Sequence, residues 1–583
     1  MKIGKTMERK LNMDFDNLKK MIQIAKGEEK GELVFKNANI INVFTNEIIK
    51  GDVAIYNGRI VGIGEYSGEE EINLEGKYLS PSFIDGHVHI ESSMVTPREF
   101  AKAILPRGTT TIIADPHEIA NVKGIDGIKY ILDNSKDLPL DVYIMLPSCV
   151  PATPFENAGA VLEAKDLKEL IDETRVLGLG ELMNYPGVIN ADKNVLEKIL
   201  MVRDKLIDGH GPIISDKELN AYVVAGVKTE HECSTADEML ERLRLGMYIH
   251  IREGSAARNL MDLIKTVDKN NLRRCIFCTD DKHPSDLLKD GSIDHNIRLA
   301  ISEGMDPIDC IKMGSLNAAE CYGLKGKGAI APGYLADLVV IDNLEDFNVV
   351  KVYKEGKLVG ENHKPLFNVK DVDNSNMKNA VNIKNITEED LTIHIKGEKV
   401  NVIKLTPHSL ITEKVERKVL VEGGEFKSGS DILKVAVVER HNRTGNIGLA
   451  LVEGFGLKNG AIASTIAHDS HNIIVIGDNN RDMLLAIKEL ERVGGGITLV
   501  SKGNVIETLP LRIGGLMSEE SLDEVNKKLN EMLRIAHEEL GVKKDIEPFM
   551  TLSFIALPVI PDIKITDMGL FDVGKFEFID LCI

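Results

Sequence analysis

The short segment DGHVH, residues 85–89, is the pattern in this sequence best suited to metal chemistry. His87 and His89 are two positions apart and follow an apolar run of the kind that forms a β-strand. Side chains alternate between the two faces of a strand, so both imidazoles project to the same side. Two imidazoles on one face can bind one divalent ion, and the pair therefore predicts a metal site.

The middle of the chain, residues 80–325, alternates apolar strand-like runs with stretches of helical periodicity. We predict strands at residues 79–84, 109–114, 142–146, 176–180, 206–208, 225–227, 247–251 and 275–278. Eight βα units over this length match a TIM barrel, whose usual length is about 250 residues.

Nearly every predicted strand is followed by a side chain that can bind a metal or transfer a proton. These residues are His87, His89, Asp115, His117, Ser148, Glu181, His210, His231, Arg252, Glu253 and Asp280. The carboxyl ends of barrel strands form the active-site face, so these side chains should converge there. His87, His89, Glu181, His210, His231 and Asp280 are the candidate metal ligands. Histidine combined with Asp and Glu suits zinc, manganese or iron(II) better than calcium or magnesium.

Other polar residues admit more than one interpretation. Asp280 directly follows a strand and is favoured over Asp281 as the group that takes a proton from metal-activated water. His117 and Glu118 either touch the substrate or cap a loop. The segment HDSH, residues 468–471, is an accessory metal site, part of a lid or a hydrogen-bonded turn. His250 lies inside a strand-like run and is predicted to be a core histidine.

Composition and charge exclude several classes of function. The chain of 583 residues has 71 Lys and Arg against 91 Asp and Glu, a net charge of −20, which argues against nucleic-acid or membrane partners. It has no run of 18 apolar residues and no signal-peptide pattern, so we expect a cytoplasmic protein. Cys275 and Cys278 lie in an apolar strand and are predicted to be core cysteines. The signature of the zinc cytidine-type deaminases is absent.

Two β-rich stretches flank the predicted barrel, which suggests one small β domain built from both. We expect a helix over residues 8–27 and the first part of the β domain within residues 1–79, the catalytic barrel at 80–325, and the second part of the β domain at 326–365. Residues 371–384 are rich in Asn, Asp and Lys and are predicted to be a linker. Residues 385–583 then form a further α/β region with a long helix near 521–539.

Several segments resemble a known family. Residues 81–89 (PSFIDGHVH) and 328–342 (GAIAPGYLADLVVID) are similar to the amidohydrolase superfamily. Residues 89–94 (HIESSM), 114–121 (ADPHEIAN) and 467–472 (AHDSHN) resemble its adenine deaminase family. This resemblance implies an α/β fold with a TIM (β/α)8 barrel inserted in a small β-sandwich domain, plus a C-terminal α/β domain of the adenine deaminase type. It implies hydrolysis of adenine to hypoxanthine and ammonia in purine salvage.

The resemblance also implies the cofactors and the roles of particular residues. It implies two divalent ions per chain, with Mn²⁺ favoured and Fe²⁺ or Zn²⁺ as alternatives, held by the six candidate ligands given above. Glu181 stands where many superfamily members have a carboxylated lysine, which matches the narrower family. Asp280 would carry the proton to the leaving amine, and the acid that protonates N1 of adenine would be Glu232, His117 or Glu118. A homo-oligomer, with a dimer favoured, is expected.

Two alternatives compete with adenine deamination. One is hydrolysis of a cyclic amide, as in dihydroorotase-like or hydantoinase-like relatives, but those usually carry the lysine that Glu181 replaces. The other is a non-catalytic relative that has lost its metal ligands, which the six filled ligand positions argue against.

Overall fold

The computed structural model describes residues 14–370, 372–429 and 431–583. The predicted N-terminal helix forms α1, Phe15–Ala25, while its predicted residues 8–13 lie outside the described part. Asp14 caps α1 by accepting a hydrogen bond from the backbone N–H of Asn17. Met21 and Ile24 are the buried residues of α1, and they pack on the strands that follow.

Five strands precede the barrel. They are β1 (Gly31–Asn42), β2 (Glu47–Tyr56), β3 (Arg59–Gly64), β4 (Gly68–Asn73) and β5 (Tyr78–Pro81). Asn57 and Gly58 connect β2 to β3 with φ angles of 48° and 69°. Asn and Gly are the residues that adopt such positive angles most easily, which is why this pair closes a tight hairpin.

Parallel strands make up the middle of the chain. They are β6 (Phe83–His89), β7 (Thr109–Ala114), β8 (Asp141–Leu146), β9 (Val176–Leu182), β10 (Leu206–Gly209), β11 (Thr229–Glu230), β12 (Tyr248–Arg252), β13 (Cys275–Cys278) and β14 (Asp280–Asp281). One sheet has the order β10-β9-β8-β7-β6-β14 and the other the order β11-β12-β13. Because β10 also lies against β11 and β13 against β6, the strands curl into a TIM-like α/β arrangement.

Helices connect these strands. They are α2 (Pro97–Ile104), α3 (His117–Lys123), α4 (Ile125–Asn134), α5 (Ala164–Leu167), α6 (Tyr185–Ile189), α7 (Lys193–Met201), α8 (Asp216–Val224), α9 (Ala236–Arg244), α10 (Leu260–Leu263), α11 (Pro284–Lys289), α12 (Ile293–Ser302), α13 (Pro307–Met313) and α14 (Leu316–Cys321).

Four further strands follow the barrel and return to the first sheet. They are β15 (Leu338–Ile341), β16 (Val349–Lys354), β17 (Lys357–Glu361) and β18 (Lys364–Pro365). The sheet order is β18-β17-β16-β15-β5-β1-β2-β3, and β4 pairs with β1. The contact between β15 and β5 is antiparallel, so strands from both flanks of the barrel form one sheet.

Two predicted strands of the barrel are placed wrongly. The run at 225–227 is not a strand, because Ala225 caps the end of α8 and Gly226 turns the chain with a φ of 112°. The strand in question is β11, Thr229–Glu230, which is too short and too polar to give an apolar signal. The first barrel strand begins at Phe83 and not at residue 79, because Tyr78–Pro81 is β5 of the other sheet.

Within the described residues, the C-terminal region contains three sheets and three α-helices. Its strands are β19 (Val400–Leu405), β20 (Thr412–Arg417), β21 (Leu420–Glu422), β22 (Glu425–Lys427), β23 (Ile432–Val438), β24 (Ile447–Glu453), β25 (Gly460–Ser464), β26 (Ile473–Gly477), β27 (Gly496–Ser501), β28 (Asn504–Pro510), β29 (Ile563–Thr566), β30 (Gly569–Asp572) and β31 (Glu577–Phe578). The helices are α15 (Asn480–Val493), α16 (Leu522–Glu538) and α17 (Pro548–Ile555). The predicted long helix near 521–539 is confirmed as α16.

The eight strands of the main C-terminal sheet run in the order β20-β19-β24-β23-β26-β25-β27-β28. The predicted linker, from residue 372 onward, packs against the protein, with Met377 and Ala380 buried. None of the helices within the described ranges combines the length and the apolar composition needed to span a bilayer.

A buried group of lysines and aspartates joins the barrel to the flanking sheet. The ammonium groups of Lys327 and Lys354 lie 2.8 and 2.6 Å from Oδ2 of Asp337, and both also contact Asp141 of β8. Burial raises the pKa of Asp337, but the two lysines outweigh this and hold it below its usual value.

Replacing Asp337 with Ala should lower the free energy of unfolding by about 3–5 kcal/mol, because it leaves two buried ammonium groups with one carboxylate between them. Urea denaturation monitored by circular dichroism measures the change. Asp346→Ala, at an exposed position beside the same sheet, is the control and should change the stability by less than about 0.5 kcal/mol. An unchanged urea midpoint for Asp337→Ala would show that the group does not hold the junction together.

Candidate metal centre

The six candidate ligands converge at the carboxyl ends of the barrel strands. They are His87, His89, Glu181, His210, His231 and Asp280, all of them buried except the half-buried His210. Three groupings bring one donor atom from each member within 4.8 Å of the others: His87 with His89 and Glu181, His87 with His231 and Asp280, and Glu181 with His210 and His231. The groupings share members, so they form one continuous cluster of donors.

Glu181 lies between two sets of imidazoles. Its Oε1 is 3.2 Å from Nε2 of His89, while its Oε2 is 2.6 Å from Nδ1 of His210 and 3.3 Å from Nε2 of His231. Each carboxylate oxygen therefore faces a different set of nitrogen donors, which is the arrangement a bridging ligand needs.

Asp280 also contacts the imidazoles of His87 and His89. Its Oδ1 lies 3.1 Å from Nε2 of His89 and 3.6 Å from Nε2 of His87. Its Oδ2 accepts a hydrogen bond of 2.8 Å from Nη1 of Arg252. The backbone of Asp280 has a φ of 55°, which costs an L-residue roughly 1–2 kcal/mol. Such strained positions concentrate at functional sites.

Asp115 holds several of these groups in place. Its carbonyl oxygen accepts a hydrogen bond of 2.9 Å from Nδ1 of His89, which leaves Nε2 of that ring free to bind a metal. Its carboxylate accepts hydrogen bonds from the backbone N–H of Glu181 at 2.9 Å and of His117 at 3.2 Å. A Cβ at Gly180 would lie 2.0 Å from this carboxylate, so only glycine permits the approach.

Burial and neighbouring charges set the protonation of the cluster. Burial lowers the pKa of His87 well below its usual value, and the imidazoles of His231 and His89 lower it further. Burial raises the pKa of Glu181, but contacts with His210, His231 and His89 outweigh this and hold it well below its usual value. Burial likewise lowers the pKa of His231, but Glu181 outweighs it and raises that pKa to about 9. Glu181 thus favours a positive charge at His231, and a metal ion bound there would compete with a proton.

The donor set fits a divalent metal centre. Neutral imidazoles and ionised carboxylates, with no thiolate among them, are the donors that zinc, manganese and iron(II) accept. The Nδ1 atoms of His87 and His231 are buried and have no hydrogen-bond partner in the described part of the chain. The other ring nitrogen, Nε2, faces the carboxylates of the cluster.

The remaining candidates surround this cluster. Glu232 lies with its Oε1 3.4 Å from Nε2 of His231, and Arg252 pairs with both oxygens of Glu232. His117 lies with its Nδ1 3.3 Å from Oε1 of Glu181. Glu118 contacts His468 and His471 of the C-terminal region.

The structure alone shows the positions of Arg252 and of the HDSH segment. Arg252 was a strand-end residue of undecided role, and it joins Glu232 to Asp280. The HDSH segment lies against α3 of the barrel, a contact between residues about 350 positions apart that has no signal in the sequence. His250 is buried beside Tyr322, and Cys275 and Cys278 are buried free thiols in β13, which confirms all three as core residues.

Comparisons with known proteins place the chain in a family. A model described as the amidohydrolase family matches residues 78–359, and one described as the adenine deaminase C-terminal domain matches residues 409–577. An adenine deaminase of Clostridium acetobutylicum is 55% identical over 570 residues, which cover 96% of this chain and 100% of the relative. The chain belongs to the adenine deaminase family.

Other members of the family align over the same extent. Adenine deaminase 2 of Carboxydothermus hydrogenoformans is 52% identical, covering 96% of this chain and 99% of the relative. The adenine deaminase of Bacillus pumilus is 48% identical, covering 98% of this chain and all of the relative. Among solved structures, the L-hydantoinase of Arthrobacter aurescens is similar with a TM-score of 0.44 and 14% identity, covering 58% of this chain and 98% of the other. The amidohydrolase match spans the barrel and part of the flanking sheet, and the C-terminal match spans most of the last region.

Replacing Glu181 with Gln should remove the link between the two sets of imidazoles. Mutation of a residue that hydrogen-bonds to a metal ligand typically lowers metal affinity roughly 10- to 100-fold. We expect a larger fall for Glu181→Gln, because a negative charge is lost from the centre itself. Metal content after dialysis, measured by inductively coupled plasma mass spectrometry, tests this. Glu69→Gln, the same change on an exposed strand, should keep the full metal content. Equal metal in both variants would contradict the bridging position of Glu181.

Proposed function

We propose that this protein hydrolyses adenine to hypoxanthine and ammonia. The observation that carries the proposal is identity of about 50% to curated adenine deaminases over nearly the whole chain, including the family's own C-terminal domain. The carboxylate-centred cluster of imidazoles in the barrel supports a hydrolytic reaction that depends on divalent metal.

We further propose that two divalent ions bind, with Mn²⁺ favoured and Fe²⁺ or Zn²⁺ as alternatives. His87, His89 and Asp280 would hold one, His210 and His231 the other, and Glu181 would contribute one oxygen to each. When bound, divalent ions in such a site polarise water and lower its pKa toward neutrality. The donors given above support this division, since the two oxygens of Glu181 face different imidazoles.

Asp280 is the proposed proton carrier. In the reaction a C–O bond forms at C6 of adenine, the C6–N bond breaks, and a proton of the attacking water must reach the departing amine. Arg252 holds Oδ2 of Asp280, so Oδ1 is the oxygen directed at the metal-binding imidazoles, where the attacking water would be activated. Burial raises the pKa of Asp280, but Arg252 and His89 outweigh this and hold it well below its usual value, which favours the carboxylate form.

Glu232 is the proposed contact to N1 of adenine. Its side chain is 18% exposed and lies beside His231. Both oxygens of Glu118, in contrast, already contact histidines of the C-terminal region, which makes it the weaker candidate. Nδ1 of His117 lies 3.5 Å from Oδ1 of Asp115 and 3.3 Å from Oε1 of Glu181, so this nitrogen already has two carboxylate neighbours.

The domain division also remains a proposal. We place the boundaries at residues 79/80, 325/326 and 365, with the flanking sheet as the small β-sandwich domain of the superfamily and residues 385–583 as the C-terminal α/β domain. The antiparallel pairing of β5 with β15 and the separate hydrophobic core of that sheet support this division.

The substrate is tested by offering adenine, adenosine, dihydroorotate and hydantoin to protein loaded with Mn²⁺ and measuring ammonia release for the purines and ring opening for the cyclic amides. We expect turnover of adenine above all others. Absence of ammonia from adenine with a metal-loaded centre would overturn the proposed function, and turnover of a cyclic amide would favour the hydantoinase-like alternative.

The two acidic residues can be compared by a matched pair of variants. Asp280→Asn and Glu232→Gln should each lower kcat about 10²- to 10⁴-fold, the usual contribution of a positioned acid or base. Metal content separates the roles, since Glu232→Gln should retain all of its metal, whereas Asp280→Asn also loses a ligand. Asp346→Asn is the exposed control. Near-normal turnover of metal-replete Asp280→Asn would rule out the proton-carrier role.

A further inference from the structure

A second group of metal-binding side chains lies where the C-terminal region meets the barrel. Glu118 belongs to α3, and His468 and His471 belong to the loop of residues 465–472 between β25 and β26. Nδ1 of His468 lies 2.7 Å from Oε1 of Glu118, and Nε2 of His471 contacts Oε2. One donor atom from each lies within 4.8 Å of the others, and all three side chains are more than nine-tenths buried.

We propose that Glu118, His468 and His471 hold a further divalent metal ion, separate from the catalytic centre, that fastens the C-terminal region to the barrel. Two imidazoles and a carboxylate form a ligand set that zinc, manganese and iron(II) accept. Asp469 lies beside the group, with Oδ1 3.9 Å from Nδ1 of His468, and can complete the coordination directly or through water. The site does not depend on which substrate the enzyme uses.

The charge balance of this region calls for a cation. Within the described ranges, the ion pairs of Glu118 are all with imidazoles, those of His117, His468 and His471, and none is with a lysine or arginine. Asp469 is buried as well, and its Oδ2 has no hydrogen-bond partner among the described residues. A divalent ion would pair with both of these buried carboxylates.

The ligand loop is held in position by contacts that do not involve Glu118. The buried guanidinium of Arg440 donates hydrogen bonds to the carbonyl oxygens of His471, of Ala380 at 2.7 Å and of Gly514 at 3.0 Å. Asn472 donates a hydrogen bond of 2.7 Å to the carbonyl of Asn157 in the barrel. The two histidines are thus preorganised next to Glu118, as the ligands of a metal site must be.

A junction made of hydrogen bonds alone is the competing explanation. The backbone N–H of Ala467 donates to Nδ1 of His471 at 3.3 Å, which would leave Nε2 protonated and donating to Glu118. Coordination through Nε2 would move the ring proton to Nδ1 and lose this long hydrogen bond. One such bond contributes far less than coordination of a divalent ion, so metal binding would prevail. The two explanations differ in the number of bound ions.

Metal counting on the full-length protein distinguishes them. After reconstitution with Mn²⁺ and removal of the excess, we expect about three ions per chain in the unmodified protein and about two in His468→Gln and in His471→Gln. His441→Gln is the matched control, because the ring of His441 contacts the same loop through the carbonyl of Ser470 and is not one of the three proposed ligands. It should retain about three.

Crystals of the Mn²⁺-loaded protein provide a second measurement that needs no variant. Anomalous scattering should show a peak between Glu118, His468 and His471, and this peak should persist in Glu181→Gln, where the catalytic ions are weakened. Two ions per chain with no such peak would overturn the proposal and leave the hydrogen-bonded junction. Three ions retained in both histidine variants would also overturn it. Neither result would bear on whether adenine is the substrate.

Discussion

The placement of one buried carboxylate between two sets of imidazoles is the constraint on which the rest of the structure depends. Glu181 at the end of β9 faces His89 with one oxygen, and His210 and His231 with the other. Burying so many ionisable groups together is costly unless each is paired, and here the pairing partners come from different strands. The curled, TIM-like arrangement of parallel strands brings the ends of β6, β9, β10, β11 and β14 together for this.

Groups without any direct place in the reaction maintain that arrangement. Asp115 fixes His89 by its carbonyl and the backbone of Glu181 by its carboxylate, and Gly180 leaves room for it to approach. Arg252 lies between Asp280 and Glu232, so the two proposed acid–base groups share one cation. A change at Arg252 would therefore disturb both groups at once.

The six candidate ligands of the metal centre could be predicted from the sequence because each follows or ends a predicted strand. His87 and His89 follow from the period of a strand, and the other ligands follow from the convergence of strand ends in a barrel. The prediction was wrong at residues 225–227, because an apolar run at the end of a helix resembles a buried strand, whereas β11 itself is short and polar. The approach of His468 and His471 to Glu118 could not be predicted, because it depends on how two regions far apart in the sequence pack and not on local periodicity.

The pairing of β5 with β15 has a consequence for the order of events during synthesis. Leu79 aligns with Val340, so the second strand leaves the ribosome only after the whole barrel has been made. Until then the edge of β5 has no neighbour on that side, and an open edge is a site for wrong pairing. A barrel that has already folded holds the two strands near each other, so their pairing has little further loop-closure entropy to overcome. Folding of the barrel thus favours completion of this sheet and covers the open edge of β5.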